Sequence, residues 1–408
     1  MRILYVTQIV PYPPHGGVLQ RGFNLLRELG REHEVHLLAF HHADELPPGP
    51  AYDESLRELG KFCRSVEYFP LWVKQSRVKR LMGFAAAAAY PAPYSVLSHR
   101  SGALAHRIAA ICGESRRPDI VHLDTIALAP YARYCNGIPT VLAHHNVESQ
   151  LMRRRAQAER NTLARIYVNV QADRLERYEK EQCTRFPLNI MVSENDARTL
   201  AQLVPGVRTA VIPNGVDTDY FHPRAEKGDP VMIYTGGMNM FANRDAVEWF
   251  LDSIWPRIKE KVPDAKFLAV GQRPSPRVRA AAAKDAAIEV PGFVPDVRPW
   301  VERASVYVVP LRVGGGTRLK VLDAMAQGKA IVSTRVGAEG IVGEHGAEFI
   351  FADDPDAFAN AVVDVLRDKA LRERLGATAR ARAESDYAWP MLGRRLAQEY
   401  ARVLEERR

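Results

Sequence analysis

Short apolar runs alternate with amphipathic stretches along most of this chain. Apolar runs bounded by turn signals predict buried strands, and helical stretches between them predict a parallel sheet covered by helices. The predicted strands of the first half are Ile3–Val6, Val35–Phe40, Ile120–Leu123, Thr140–His144, Leu188–Ser193 and Ala210–Ile212. Those of the second half are Val231–Thr235, Lys266–Gly271, Ala287–Val290, Val306–Pro310, Ala330–Ser333 and Glu348–Phe351. The predicted fold class is α/β, with two doubly wound sheets.

The intervening patterns predict helices, and a turn-rich stretch separates the two halves. The predicted helices are Val18–Leu29, Ser149–Cys183, Asn243–Lys261, Ser275–Lys284, Leu319–Gln327, Pro355–Leu366 and Met391–Arg408. Prolines and glycines crowd the region between Pro213 and Pro230, as is typical of a linker. We therefore predict a first domain over residues 1–215, a linker over 216–229 and a second domain over 230–390. Ligands of such folds bind at the carboxyl ends of the strands.

Composition indicates an ordinary globular protein, with 47% hydrophobic and 25% charged residues among 408. No apolar run reaches the roughly 18 residues that a membrane span needs. Met1–Thr7 resembles a strand rather than a secretory signal. The four cysteines are scattered without a close pair, which favours reduced thiols and a cytoplasmic location.

The net charge of +8 is unevenly distributed. No acidic residue occurs between Glu67 and Glu114, and within this region apolar residues of Trp72–Phe84 are interleaved with cations. Such a segment could lie on an anionic inner-membrane surface, or could be a solvated, partly helical excursion of the first domain. We expect no nucleic-acid partner, because no recognised binding motif accompanies the charge.

The most informative segment is a glycine-rich turn that opens a helix in the second half. Gly314, Gly315 and Gly316 allow an anion to approach the free backbone amides of a helix N-terminus. Two cations in that first turn oppose the helix dipole, which makes sense if an anion is held between them. A carboxylate on the next turn suits the hydroxyls of a ribose. The expected ligand is a nucleotide sugar, contacted by Thr317, Arg318, Leu319, Lys320 and Asp323.

Other strand ends supply weaker candidates. Gly16 and Gly17 precede a helix without the GxGxxG spacing of a dinucleotide fold, and Gly237 follows the first strand of the second half. The Gly16-Gly17 pair could equally form a plain turn. Phe293 and Val294 follow a strand where main-chain groups could face a base, or could again form a turn.

His145 follows a predicted strand and could bind a sugar hydroxyl or stabilise a developing charge, although a hydrogen-bonded loop histidine is an equally good interpretation. Asn243 is placed to cap the helix that it begins. We expect no bound metal, because the histidines and acid of residues 41–44 lack further ligands in the sequence.

With these motifs in place, the chain resembles a family 4 glycosyltransferase of the GT-B fold over essentially its whole length. The motifs occur in the family's order, namely Val192-Ser-Glu194, Asn214-Gly-Val-Asp217, Tyr234-Thr-Gly-Gly-Met238, Gly292-Phe-Val294 and the glycine-rich block. The chain is most similar to bacterial sugar transferases of exopolysaccharide and exosortase systems. The resemblance implies two Rossmann-like domains facing a cleft, with residues 391–408 crossing back to the first domain.

The resemblance also implies residue roles. Asp323 corresponds to the second acid of the family's Glu-x7-Glu motif, which holds the ribose hydroxyls, and Gly315 stands where the first acid is expected. Arg318 and Lys320 would neutralise the diphosphate, His145 would contact the transferred sugar, and Gly16 and Gly17 match the glycine loop of the first domain.

The implied activity is a retaining hexosyl transfer from a UDP-, GDP- or ADP-linked sugar to a hydroxyl of a glycan or polyprenyl-linked acceptor, without a cofactor or metal. Alternatives are a GT-B sugar-nucleotide epimerase, a phosphorylase or a non-catalytic nucleotide-sugar-binding subunit of a polysaccharide assembly complex. The expected location is the cytoplasm or the inner face of the cytoplasmic membrane.

Overall fold

The computed structural model describes residues 1–14, 16–159, 161–224, 229–313 and 318–407, without the side chains of residues 88, 89 and 158. The described residues form two compact units. The first contains Met1–Pro213 and Leu392–Arg408, and the second contains Asn214–Met391. Residues 214–224 thus pack with the second unit, and Phe221 lies in its core.

The first unit is built on a seven-stranded sheet in the order β3-β2-β1-β4-β5-β6-β7, with each described strand pair parallel. Its strands are β1 Arg2–Thr7, β2 Glu34–His41, β3 Ser65–Pro70, β4 Ile120–Leu123, β5 Thr140–Ala143, β6 Asn189–Met191 and β7 Thr209–Val211. Its helices are α1 Gly17–Leu29, α2 Pro50–Leu59, α3 Arg77–Ala89, α4 Tyr94–Ser98, α5 Gly102–Gly113, α6 Glu148–Ala158, α7 Thr162–Gln182 and α8 Glu194–Leu203. Three 3₁₀ segments add Trp72–Lys74, Ile126–Tyr134 and Cys183–Arg185.

The second unit has a six-stranded sheet in the order β10-β9-β8-β11-β12-β13, again with parallel pairs throughout its described strands. Its strands are β8 Val231–Thr235, β9 Lys266–Val270, β10 Ile288–Gly292, β11 Val306–Val309, β12 Ala330–Ser333 and β13 Phe349–Phe351. Its helices are α9 Phe241–Trp249, α10 Trp255–Lys261, α11 Pro276–Lys284, α12 Arg298–Glu302, α13 Leu319–Ala326, α14 Pro355–Arg367 and α15 Lys369–Arg382. Two π-helical segments, Phe250–Ile254 and Ala383–Tyr387, follow α9 and α15.

Continuous apolar strands place the core of each unit along the centre of its sheet. Residues 3–6 of β1 and residues 232–234 of β8 have no exposed surface, as expected for strands covered by helices on both faces. Polar caps start several helices; Ser275, for example, accepts a hydrogen bond from the Val278 amide before Pro276 opens α11.

The last helix, α16 Trp389–Glu405, begins in the second unit and packs on the first. Tyr400 is fully buried there, and its hydroxyl lies 2.7 Å from Nδ1 of His122 on β4. Gly393 permits a close approach to α1, because a Cβ at this position would collide with Glu28. The C-terminal helix therefore buttresses the first sheet.

All twelve strands predicted from the sequence are present, with bounds shifted by two residues at most. Two predictions for helices were wrong in detail. Ser149–Cys183 is two helices, α6 and α7, rather than one segment, and Asn243–Lys261 is interrupted by the π-helical turn at Phe250–Ile254. Strand β3 was not predicted, nor were helices α2, α5, α8, α12 and α15.

Candidate functional site

In the second unit, the candidate residues gather at the carboxyl ends of two neighbouring strands, β8 and β11. The strand order reverses between these two strands, and ligands of open α/β sheets bind outside such a reversal. The loop after β8 carries Gly236 and Gly237, and the connection after β11 leads into α13. The predicted contacts at Gly314, Gly315, Gly316 and Thr317 lie outside the described residues.

Lys320, on the first turn of α13, joins these two loops. Its ammonium group donates hydrogen bonds to the Tyr234 hydroxyl at 2.7 Å and to Asn243 Oδ1 at 2.8 Å. Tyr234 in turn donates to the same Asn243 oxygen at 2.7 Å, and Asn243 Nδ2 donates to the Gly237 carbonyl at 2.9 Å. The network fixes the ammonium group beside the turn after β8.

Gly236 is the residue that leaves room for this ammonium group. Its φ of +152° is rare for other residues, and a Cβ built on it would collide with Lys320 Nζ and crowd the Asn243 side chain. A glycine at this turn therefore allows the backbone conformation and also leaves the space that the Lys320 ammonium group occupies.

Three ionisable side chains share the start of α13. Burial, reinforced by Arg318 and opposed by Asp323, lowers the pKa of Lys320 to about 7. Burial raises the pKa of Asp323 to about 7 against the opposing effect of Lys320. Burial also lowers the pKa of Arg318, whose guanidinium lies 3.9 Å from Glu339. A phosphate dianion arriving here would favour protonated Lys320 and so restore its ordinary charge.

The affinity for a nucleoside diphosphate is therefore expected to fall as pH rises from about 7.5 to 9. Lys320 is protonated below its pKa near 7 and loses its charge above it in the free protein, so binding above pH 7 requires proton uptake. The terminal phosphate is already ionised in this window, since a second phosphate pKa is about 6. Calorimetry at pH 8 in buffers of different ionisation enthalpy should show uptake of up to one proton.

The Lys320→Met variant is the control. It removes the proton uptake by Lys320 and keeps any proton uptake by Asp323. Its affinity is expected to depend less on pH, and its proton uptake at pH 8 should disappear. Equal proton uptake by the parent protein and this variant would contradict the assignment.

The remaining candidates of the second unit lie near this edge of its sheet. Phe293 directly follows β10, and 73% of its surface is exposed, whereas Val294 and Leu319 are half-buried and pack against the core. An exposed aromatic ring at a strand end can stack on a flat ligand group. The capping role predicted for Asn243 was wrong. Asn243 lies inside α9, whose N-cap position is Met240, and its side chain accepts a hydrogen bond from Lys320 instead.

In the first unit, Gly16 and Gly17 stand at the N-terminus of α1, after β1. Gly16 is the N-cap residue, has a φ of +93° and accepts a hydrogen bond from the Gln20 amide at 2.9 Å. No described atom lies within contact distance of a Cβ built at Gly16. The strand order of the first sheet reverses between β1 and β4. The amides at the start of α1 lie at this reversal, and so does Asp124, which follows β4.

His145 contacts an acid that was not predicted. Its Nε2 lies 3.2 Å from Oδ2 of Asp124, which directly follows β4, whereas His145 follows the neighbouring strand β5. Burial raises the pKa of Asp124, but His145 and His122 more than offset this effect and hold the pKa below its usual range. A carboxylate in this position fixes the orientation of the imidazole ring.

Asp124 is surrounded by a buried polar cluster. Its Oδ1 lies 3.7 Å from His122 Nε2, and the His122 ring stacks on Tyr5 at a centroid distance of 4.0 Å. Arg21 of α1 is also buried and donates to the Pro213 carbonyl at 2.9 Å. Burial lowers the pKa of Arg21, while Tyr5 and Asp124 oppose that shift. The acid is thus electrostatically coupled to the arginine.

The neighbouring groups have structural partners. His144 is buried against Asn189 at 3.0 Å, and burial lowers its pKa to about 4. Glu179 is buried on α7, accepts hydrogen bonds from the amide and hydroxyl of Ser149, and has a pKa raised by burial to about 7. His145 differs from His144 in keeping some exposed surface, with 9% of its side chain accessible.

Sequence reasoning missed the contacts of Asp124 and Tyr234, and it gave Asn243 only a capping role. One signal could have identified Asp124, since it ends a predicted strand and the carboxyl ends of adjacent parallel strands lie side by side. Among the described residues, no group of three histidine, cysteine or acidic side chains is arranged to hold a metal ion.

Comparisons with known families match both halves of the chain. Residues 15–220 match the family described as Glycosyltransferase Family 4, and residues 229–368 match the one described as Glycosyl transferases group 1. These matches cover both units.

Two curated relatives share less than a third of their aligned residues with this chain. The phosphatidyl-myo-inositol mannosyltransferase of Mycobacterium tuberculosis is 29% identical over 213 residues, covering 47% of this chain and 53% of that enzyme. The lipopolysaccharide core biosynthesis mannosyltransferase LpcC of Rhizobium leguminosarum is 27% identical over 197 residues, covering 44% and 55%. The chain thus spans about half the length of these curated relatives.

Solved structures agree over the whole chain. Anabaena Alr3699/HepE in complex with UDP has a TM-score of 0.65 at 14% identity, covering 98% of this chain and 100% of that one. Sucrose-phosphate synthase of Thermosynechococcus elongatus has a TM-score of 0.64 at 16% identity, covering both chains fully. These likenesses concern the fold. The chain belongs to the family 4 glycosyltransferases, with the two Rossmann-like domains of the GT-B fold.

Proposed function

We propose that the protein is a retaining, metal-independent glycosyltransferase that moves a sugar from a nucleoside-diphosphate sugar to a hydroxyl of a saccharide or lipid-linked saccharide. Membership of the family supports sugar transfer, and the names of the mycobacterial and rhizobial relatives point to lipid and lipopolysaccharide glycans. The process served is exopolysaccharide or other cell-envelope glycan synthesis, in the cytoplasm or on the inner face of its membrane.

The observation that carries the proposal is the grouping of Arg318, Lys320 and Asp323 at the start of α13. Two cations at a helix N-terminus suit a diphosphate, since the unpaired amides and the helix dipole add to their attraction. Lys320 and Asp323 are three residues apart, so they lie on the same side of the helix. We propose that the acid accepts hydrogen bonds from ribose hydroxyls while the lysine contacts the phosphates.

The donor sugar and base are narrower proposals. The relatives named as mannosyltransferases make a mannosyl donor the first to test. The Anabaena protein with UDP makes a uridine diphosphate donor the next. Exposed Phe293, with Val294 beside it, is the proposed contact of the base.

In the proposed reaction, the bond between the anomeric carbon and the diphosphate oxygen breaks as the acceptor oxygen bonds to that carbon from the same face. The acceptor hydroxyl loses its proton to the departing phosphate oxygen, so no protein nucleophile is needed. Negative charge develops on the leaving phosphate, and the fixed ammonium of Lys320, with Arg318, stabilises it. These two side chains supply the positive charge, so the proposal includes no metal ion. His145, oriented by Asp124, is proposed to contact the transferred sugar.

Nucleotide release tests this function directly. Purified protein is mixed with UDP-, GDP- and ADP-linked sugars, with and without a membrane-extracted acceptor, and free nucleoside diphosphate and the anomeric configuration of the product are measured. Acceptor-dependent release with retained configuration is the expected result. Conversion of a donor without acceptor would instead indicate an epimerase, a requirement for free phosphate would indicate a phosphorylase, and binding without turnover would indicate a non-catalytic subunit.

Asp323→Ala is expected to lower kcat/KM roughly ten- to a hundredfold, because a hydrogen bond to a charged group is worth about 1.5–3 kcal/mol. The matched control is Asp364→Ala, which removes an exposed carboxylate from α14 of the same unit. Steady-state kinetics with the active donor should separate the two variants. Unchanged kinetics for Asp323→Ala would remove this acid from the donor site.

A further inference from the structure

The first unit exposes apolar side chains from two helices that lie far apart in the sequence. Helix α3 presents Val78, Leu81 and Met82, each at least 58% exposed, and the first half of α7 presents Leu163, Ile166 and Val170, each at least 41% exposed. Their spacings place each set on one face of its helix. The opposite faces are buried, at Gly83 and Ala87 of α3 and at Val168, Gln171, Ala172 and Leu175 of α7.

Aromatic contacts join the two helices. Phe84 stacks on Tyr94 at a centroid distance of 4.8 Å and meets Tyr167 of α7 edge-on at 6.1 Å. Arg174 of α7 donates to the carbonyl of Ala87, and Gln171 accepts from the Tyr94 amide at 2.8 Å. We call the combined exposed surface of Arg77–Phe84 and Thr162–Val170 the apolar platform.

The charge around the apolar platform is mainly positive, although Arg80 of α3 lies 3.6 Å from Asp44 and Glu159 stands three residues before α7. Neither helix stretch contains an acid, and residues 149–158 of α6 contain none either. Arg77, Arg154, Arg155 and Arg165 are exposed, and within the described part of the chain no carboxylate forms an ion pair with them. Exposed apolar residues surrounded by cations match an anionic lipid surface, where tails receive the apolar groups and headgroups receive the charge.

Only the second part of the segment that composition singles out, Trp72–Phe84, belongs to the apolar platform. Within Trp72–Phe84, Val73 is buried, Trp72 donates to the Leu97 carbonyl at 3.3 Å, and Lys74 pairs with Asp44 at 3.0 Å. The first part of that segment therefore packs against protein. The other half of the apolar platform comes from helix α7. No helix in the described ranges has the length and hydropathy to cross a membrane.

We propose that the apolar platform, made jointly by α3 and α7, docks this protein onto an anionic membrane surface. Docking would bring the protein to a lipid-linked acceptor, and in this respect it rests on the proposed function. The two helices that form the docking surface lie far apart in the sequence. Binding would use about six apolar side chains lying in the interface, with the flanking arginines drawn to the headgroups.

The test is co-sedimentation of the full chain with vesicles of phosphatidylcholine alone and of phosphatidylcholine mixed with phosphatidylglycerol. We expect binding to the mixed vesicles that weakens as salt rises, since headgroup attraction is screened. Leu81→Gln and Leu163→Gln should each weaken partitioning roughly tenfold, as expected for withdrawing one leucine from an apolar phase. The double variant should weaken it further.

The matched control is Val342→Gln, which changes an apolar residue of the second unit that is 56% exposed and should partition like the parent. Equal partitioning of the parent onto both vesicle types, or unchanged binding of the double variant, would overturn the proposal. So would a dimer in sedimentation equilibrium that the double variant abolishes without any vesicle binding by the parent. Nucleoside-diphosphate binding, measured without lipid, reports separately on the proposed function.

Discussion

Replacing Lys320 with methionine is expected to lower kcat/KM by roughly a hundred- to a thousandfold, the usual cost of removing one fixed stabiliser of a developing negative charge. The ammonium group is held at the Tyr234 hydroxyl and Asn243 Oδ1 before any ligand arrives, so little reorganisation opposes its action in the transition state. Because the charge is stabilised most as the phosphate departs, kcat should fall more than donor affinity. Steady-state kinetics and calorimetry with the nucleoside diphosphate measure the two effects separately.

The same substitution should leave thermal stability unchanged or raised. Burial lowers the pKa of Lys320, which means that the folded protein holds its charge at a cost. Methionine fills a similar volume without that charge, and Tyr234 and Asn243 can still bind each other at 2.7 Å. Lys284→Met, at the exposed end of α11, is the matched control and should change neither activity nor stability. A Lys320→Met protein that is fully active, or that loses activity only because it unfolds, would contradict the assignment.

The buried strands were predictable because their apolar runs are continuous. Residues 3–6, 231–235 and 330–333 are of this kind, and the structure has strands there. Strand β3 was missed because it is a half-exposed edge strand with polar Ser65 and Glu67 and a terminal proline, a pattern that an edge position tolerates. Helix α15 was missed because six of its 14 residues are charged and its apolar positions are mostly small alanines, which leaves a weak apolar pattern.

The candidate site was only partly predictable. Local patterns and the family resemblance were enough to name Arg318, Lys320 and Asp323, whose shared position on one helix start follows from their spacing. The partners of these residues come from other strands and helices, and spacing gives no information about them. Asn243 lies 77 residues from Lys320, and Asp124 lies 21 residues from His145. Only the sheet order, which brings β4 beside β5 and β8 beside β11, creates those contacts.

Asp124→Ala is expected to lower the free energy of unfolding of the first unit by about 1–3 kcal/mol, because it removes the buried carboxylate that lies 3.2 Å from His145 and 3.7 Å from His122. Asp124→Asn keeps the size and a hydrogen-bond acceptor, so its cost in stability should be smaller. Its cost in activity should remain large, about ten- to a hundredfold in kcat/KM, since the neutral amide no longer holds His145 as the carboxylate does. Thermal unfolding and steady-state kinetics of both variants measure these effects.

A double-mutant cycle shows whether Asp124 acts through His145. If the acid only positions the imidazole, Asp124→Asn combined with His145→Gln should be no less active than His145→Gln alone, whereas independent roles would multiply the losses. The matched control is Glu34→Gln, which makes the same change at a partly exposed acid 3.0 Å from His36 and should leave kinetics unaltered. Multiplied losses in the cycle would show that Asp124 has a role of its own. Full activity of Asp124→Asn would mean that the pair serves the fold and not the reaction.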